Sequence, residues 1–186
     1  MIIRKMSLQD LESVAKIHKN AYPDDHFSAH FTLKMLEGYY AEFLNGTKYA
    51  YVAEEGRDIT GFLIAGRDLN RAAGNFIKRN WPKLLLISMM RPGFIFSKIS
   101  RFFSYERKED GGMVLFSIAV SPLSQRTGAG RELIGEFEKD LIKDGITSYD
   151  LSVKPRNKKA IEFYMKSGYI IVRSDRNSIF FRKNIR

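Results

Sequence analysis

Apolar positions along the chain repeat with two different periods, and each change of period marks a boundary between elements. Residues 1–5 fit a short strand, and Ser7 then stands where a helix cap belongs, ahead of Leu8, Leu11, Val14, Ala15 and Ile17 on one helical face. Pro23 falls just beyond that helix. Leu33, Leu36, Tyr40 and Phe43 predict a second helix over 32–44, with Asn45-Gly46 as its stop signal. Two strands follow, 48–54 and 59–66, joined by the turn sequence Glu55-Gly56-Arg57-Asp58, so they read as an antiparallel hairpin.

The C-terminal half keeps the same economy. A strand over 113–120 leads to a helix over 128–143 that ends at Asp144-Gly145, and a strand over 146–153 has Tyr149, Leu151 and Val153 alternating. A strand, helix, strand unit implies parallel pairing. A short helix over 157–167 stops at Gly168, and 169–172 with 178–182 reads as a closing hairpin. No internal repeat or low-complexity segment interrupts the pattern.

Residues 67–112 depart from it. They hold two markedly apolar runs, 84–90 and 93–96, together with ten Lys/Arg against four Asp/Glu. Pro82 is expected in the first turn of a helix that stops before Pro92, and 94–105 as a second helix with Lys98 and Arg101 facing away from the aromatics. The segment is thus expected to be a helical insertion in a single domain spanning 1–186.

Composition narrows the function classes. The chain has 186 residues, 44% of them hydrophobic and 28% charged, which suits one self-sufficient globular domain. The absence of cysteine removes disulfides, thiolate zinc sites and thiol nucleophiles. No charge-free apolar run approaches the roughly 18 residues of a membrane span and the N-terminus lacks a leader pattern, so a cytoplasmic location is expected. A net charge of +10 favours an anionic ligand or surface.

The segment from Leu115 to Leu141 carries the chemistry. An apolar strand runs into a glycine-bearing loop and then a helix with Leu133, Ile134, Phe137 and Leu141 on one face. Gly128 and Gly130 let backbone N–H groups converge on an anion at the helix start, where the helix dipole is favourable and Arg126 and Arg131 add charge. A dinucleotide fingerprint needs glycine at Leu133, and a P-loop needs Gly-Lys-Ser/Thr; neither is present. Two glycines by themselves serve a tight turn equally well.

Context adds to them. Gln125-Arg126-Thr127-Gly128-Ala129-Gly130 resembles the pyrophosphate loop of the GNAT superfamily of N-acetyltransferases, and Asn157 to Tyr169 resembles that family's Asn-x-x-Ala-x-x-x-Tyr-x-x-x-Gly-Phe segment, with Tyr169 in place of Phe. The resemblance covers most of the chain outside 67–112. It implies an α/β (α+β) fold: a mixed, mostly antiparallel sheet of six or seven strands, helices on both faces, and the insertion between strands three and four.

The resemblance also implies acetyl-CoA as cosubstrate, direct transfer to an amine in a ternary complex, and no metal. The strands at 113–120 and 146–153 should splay after a bulge, so that backbone groups of Ile118, Ala119 and Val120 meet the pantetheine arm. The Ile118 N–H would stabilise the oxyanion, and Gln125, Arg126, Thr127, Gly128, Ala129, Gly130 and Arg131 would hold the diphosphate. Tyr164 is the candidate general acid, or else a packed core residue. Asn157 would bond the pantetheine, cap its helix, or do both.

An amine with a pKa of about 10.4 must lose a proton before it attacks. Many relatives supply a carboxylate from the strand at 113–120, which has none here, so Ser117 with waters, Asp24, Asp25 and His26 are the candidates. His18, His26 and His30 read individually as solvated or helix-surface residues. The expected acceptor is a primary amine of a small molecule, such as an anionic amino-sugar nucleotide drawn by the basic insertion. The same insertion suits a homodimer contact or a peripheral membrane contact through 84–103. The rival class is a GNAT-like binding module for nucleic acid or membrane with a vestigial loop, and the intact motifs weigh against it.

Overall fold

A computed structural model describes residues 1–22, 28, 30–67, 69–90 and 112–185. Strand β1 (Ile2–Lys5) leads through a 3₁₀ turn (Leu8–Asp10) into helix α1 (Leu11–Ala21). Ser7 starts that turn: its N–H and hydroxyl both donate to the Asp10 carboxylate, at 2.7 and 2.9 Å, and Arg4 locks the same carboxylate from the strand. Helix α2 (Leu33–Gly46) begins where the Thr32 hydroxyl accepts from the Met35 N–H.

Strands β2 (Tyr49–Glu55) and β3 (Asp58–Gly66) form the expected hairpin, followed by α3 (Leu69–Met90), β4 (Val114–Val120), α4 (Ala129–Lys143), β5 (Ser148–Val153), α5 (Lys158–Lys166), β6 (Ile170–Ser174) and β7 (Ile179–Asn184). The seven strands form one sheet in the order β1-β2-β3-β4-β5-β7-β6. Among the described residues only the β4–β5 pairing is parallel.

Side-chain alternation distributes the core to both faces of the sheet. Ala50 and Val52 on β2 with Phe62 and Ile64 on β3 pack against α1, α2 and α3, whereas Tyr49, Tyr51, Leu63 and Ala65 pack against α4. Gly61 permits α4 to lie close: a Cβ there would meet the Ala119 carbonyl oxygen at 3.1 Å and Leu133 Cδ1 at 3.3 Å.

The insertion differs from its sequence reading in one respect. Pro82 lies inside the 22-residue helix α3 rather than in the first turn of a shorter one. Proline within a helix costs about 3 kcal/mol, and packing offsets it here: Leu69, Ala72, Ala73, Phe76 and Leu84 on both sides of Pro82 share one buried face. The second expected helix, 94–105, lies outside the described residues. Among the described residues no helix is long and apolar enough to cross a membrane.

Candidate active site

β4 carries a bulge that decides what the site contains. Ser117 pairs with Ile64 and Leu115 with Ala65, leaving Phe116 as the extra residue. Met113 and Leu115 face the α4 side, but beyond the bulge the parity changes. Phe116 stacks on Phe43 of α2 at 4.4 Å, and Ser117 turns to the same side, toward α1 and α2.

The bulge is also where β4 and β5 part. Their pairing is confined to Val114 opposite Asp150, with the Asp150 N–H donating to the Met113 carbonyl at 2.9 Å. β5 then continues along β7, while β4 continues along β3. The Ser121 N–H donates to Thr60 on β3 at 2.7 Å, so by the two-residue alternation of an antiparallel ladder Ala119 also faces β3. Backbone groups of Ile118 and Val120 therefore point into the opening. That separates Ala119 from its two neighbours in the expected set: its side chain is buried and its N–H belongs to the ladder.

At the end of β4 a 3₁₀ turn (Pro122–Ser124) leads to the glycine loop. Arg126 has φ 70° and Gly128 φ 94°, and Gly128 is the N-cap of α4. The Gly128 carbonyl accepts from the N–H groups of Arg131 and Glu132, and the Thr127 hydroxyl donates to the Ser124 carbonyl. The N–H groups of Arg126 to Gly130 have no acceptor among the described residues. Asn157 caps α5, its side-chain oxygen accepting from the Ala160 N–H at 3.2 Å.

Tyr164 is buried among Phe163, Tyr169 and Phe181, and its hydroxyl has no hydrogen-bond partner among the described residues. Burial, with neighbouring Tyr169 and Tyr22, raises its pKa and keeps the phenol protonated at neutral pH.

Facing this opening from α1 and α2 is a polar cluster that motif reading misses. The Tyr22 hydroxyl lies 2.9 Å from Ser117 Oγ and also accepts from the Ile118 N–H. Ser117 Oγ lies 3.2 Å from the Tyr40 hydroxyl, which lies 2.6 Å from His18 Nδ1, and His18 Nε2 lies 2.5 Å from Ser28 Oγ. His18 is only 1% exposed and stacks on Tyr22 at 4.1 Å, which corrects its reading as a surface residue. Burial, and secondarily the charge of Lys19, pushes the imidazole down to about 4, so the ring is neutral at physiological pH. Burial raises the Tyr22 and Tyr40 phenols.

A sequence signal for His18 existed: Leu11, Val14, Ala15 and His18 follow the spacing of one buried helical stripe. Of the other candidate bases, Asp24, Asp25 and His26 lie outside the described residues. No group of metal-ligating side chains occurs among the described residues.

A seven-stranded mixed sheet that forks after a β4 bulge, beside a glycine-capped helix start, defines an acyltransferase fold. The profile of the acetyltransferase (GNAT) family matches residues 11–169, and the chain belongs to that family. Solved structures agree in fold. SsHAT is 18% identical, with 98% of this chain and 97% of that chain covered and a TM-score of 0.73. The PaiA N-acetyltransferase from Thermoplasma acidophilum, solved with coenzyme A, is 17% identical, with 98% of each chain covered and a TM-score of 0.60. The ribosomal-protein-S18-alanine N-acetyltransferase from Escherichia coli is 18% identical, with 99% and 93% covered and a TM-score of 0.60. Comparison with curated protein sequences gave no match.

Proposed function

We propose that this chain transfers an acetyl group from acetyl-CoA directly to a primary amine of a small molecule. One juxtaposition carries the reading. Backbone groups of Ile118 and Val120 open into the β4–β5 fork, beside a helix start whose N–H groups from Arg126 to Gly130 lack acceptors among the described residues. That donor set fits a diphosphate: Gln125, Thr127, Gly128, Ala129 and Gly130 offer backbone, and Arg126 and Arg131 offer charge. The parting of β4 from β5 after Val114 suits an extended pantetheine, and Asn157 is the candidate to bond it.

Acetyl-CoA, when bound, supplies the activated thioester, and the chain's residues do the remaining work. The Ile118 N–H polarises the acyl carbonyl and stabilises negative charge on its oxygen. Tyr164 holds a proton beside the fork for the departing sulfur. No residue is acylated, in keeping with the absence of cysteine.

An anionic amine, such as an amino-sugar nucleotide, would be drawn toward Arg67, Arg71, Lys78 and Lys83 around α3. A second reading of α3, contact with an anionic membrane or another copy of the chain, is favoured by Trp81, Leu85 and Leu86, which are 60%, 52% and 62% exposed. The remainder of that expected surface, 91–103, lies outside the described residues.

The test has two stages. Acetyl-CoA should raise the melting temperature, because a ligand that binds only the native state stabilises it. Release of coenzyme A is then followed with a uridine-diphosphate amino sugar, spermidine and an alanine-initiated peptide as acceptors. Tyr164→Phe should lower kcat on the order of a hundredfold or more at unchanged acetyl-CoA affinity. No thermal shift and no release of coenzyme A with any of the three acceptors would overturn the reading.

A further inference from the structure

The proposed reaction needs a base, and β4 offers no carboxylate. We propose that His18 is a positioning residue that directs a one-way hydroxyl chain, Tyr22 to Ser117 to Tyr40 to His18 Nδ1, through which the acceptor amine loses its proton.

The links are short and continuous: 2.9 Å from Tyr22 to Ser117, 3.2 Å from Ser117 to Tyr40 and 2.6 Å from Tyr40 to His18. The chain joins α1, α2 and β4, and Ser117, Tyr40 and His18 are all buried. A hydroxyl chain conducts protons only if every member points the same way, and the ring at its end decides the direction. In the Nε2–H tautomer the ring donates to Ser28 and Nδ1 accepts, and in that tautomer Tyr40 donates to His18, Ser117 to Tyr40 and Tyr22 to Ser117. Tyr22 then presents lone pairs to the fork, one of which the Ile118 N–H occupies. An acyl oxygen that takes the Ile118 N–H frees that lone pair for the amine.

The step balances. The ammonium N–H bond breaks with its electron pair remaining on nitrogen, and the proton joins the Tyr22 oxygen. At the same time the protons of Tyr22, Ser117 and Tyr40 each move one place toward His18. The net change is one proton from amine to imidazole, with every hydroxyl restored. The buried ring holds that proton only weakly, and once the acetylated nitrogen can no longer take it up it passes back along the same hydroxyls and leaves to solvent from the Tyr22 oxygen. Tyr22 also lies near enough to Tyr164 to interact electrostatically, which places the chain beside the residue that supplies the leaving group's proton. Lys19, Tyr22 and Tyr40 are charged or titratable groups that face His18.

This proposal rests on the acetyltransferase reading, and two measurements separate the two. The first needs no substrate: ¹⁵N imidazole shifts of the free protein should show His18 as the neutral Nε2–H tautomer, and an Nδ1–H tautomer overturns the chain because it then runs backward. The second uses the best acceptor of the three named above. Tyr40→Phe and His18→Gln should each lower kcat on the order of a hundredfold near pH 7, and the deficit should shrink toward pH 10, where the amine deprotonates unaided. Acetyl-CoA affinity should stay within about threefold, as expected for groups that act on the amine. A deficit equal at every pH, or no deficit, overturns the chain while acetyl transfer by the wild type still stands.

Discussion

On one wall of the fork between β4 and β5 the polar groups belong to the backbone: Ile118 and Val120 on the strand, and the N–H groups of Arg126 to Gly130 at the start of α4. On the other wall they belong to side chains, the hydroxyls of Tyr22, Tyr40 and Ser117 and the ring of His18. Backbone donors are fixed by strand parity and loop dihedrals, and they tolerate almost any side chain at the same positions. Side-chain groups must be brought together from separate elements and held in a dry interior, and each polar atom left without a partner there is costly. The first wall suits a ligand part that never varies, the second a reaction partner that differs from enzyme to enzyme.

The largest effect expected from the side-chain wall is on stability against pH. His18 has a folded pKa lowered from 6.5 to about 4 by burial, so between those values the unfolded chain binds more protons than the folded one. Stability is full above about pH 6.5 and falls by roughly 3 kcal/mol as pH drops to about 4. Asp10 and Asp140, whose carboxyls are held low by hydrogen bonds to Arg4 and Lys5 respectively, lose their contributions only below the ordinary carboxylate range. Chemical denaturation at pH 7, 5.5 and 4.5 should therefore show a decline that His18→Gln abolishes. A flat profile in the wild type would mean that the ring is solvated.

How much of each wall was legible in the sequence follows from the same difference. Gln125 to Gly130 is contiguous and its glycines answer a local backbone demand, so a short motif carries it. The hydroxyl wall joins residues up to 95 positions apart, Tyr22 and Ser117, which no spacing rule connects. The bulge at Phe116 adds to the difficulty, because simple alternation from Leu115 sends Ser117 to the wrong face of the sheet. Most elements, the β2–β3 hairpin and the parallel β4–β5 pairing were readable from periodicity and turn signals, whereas a mixed sheet with helices on both faces followed from the family resemblance. The length of α3 was not, since Pro82 signals a helix start locally and only packing against α2 and the sheet overrides it.

The backbone wall predicts an asymmetry of its own. Gly128→Val places a β-branched residue at φ 94°, which costs on the order of 1–3 kcal/mol, and relaxation of that strain swings the neighbouring N–H groups. Acetyl-CoA affinity should fall roughly tenfold to a hundredfold, scaling with that strain. Ile118→Val, one residue from the bulged segment's hydroxyl, leaves its N–H in place and should change affinity by less than about threefold. Calorimetric titration of both variants checks the contrast. Equal losses would show that side chains, not amide groups, line this wall.

The smallest effect is expected at Asn157, where a side-chain group and a backbone group are paired. The Asn157 side-chain oxygen caps α5 at the Ala160 N–H, while its amide nitrogen is the only part of the residue able to donate to a carbonyl of the bound arm. Asn157→Ala removes both groups and should cost about 1 kcal/mol of stability from the lost cap. Asn157→Asp keeps the acceptor oxygen and the cap but has no N–H, so stability should hold within about 0.5 kcal/mol. If the residue also serves the cosubstrate, both variants should weaken acetyl-CoA binding by a similar factor of about five, the value of one neutral hydrogen bond. If it serves the helix alone, Asn157→Asp should bind as the wild type does once the added negative charge is screened with salt. Melting curves and titrations of the same two variants at low and high salt decide between the two roles, because the cap depends on an oxygen that both Asn and Asp possess and the contact on a nitrogen that only Asn has.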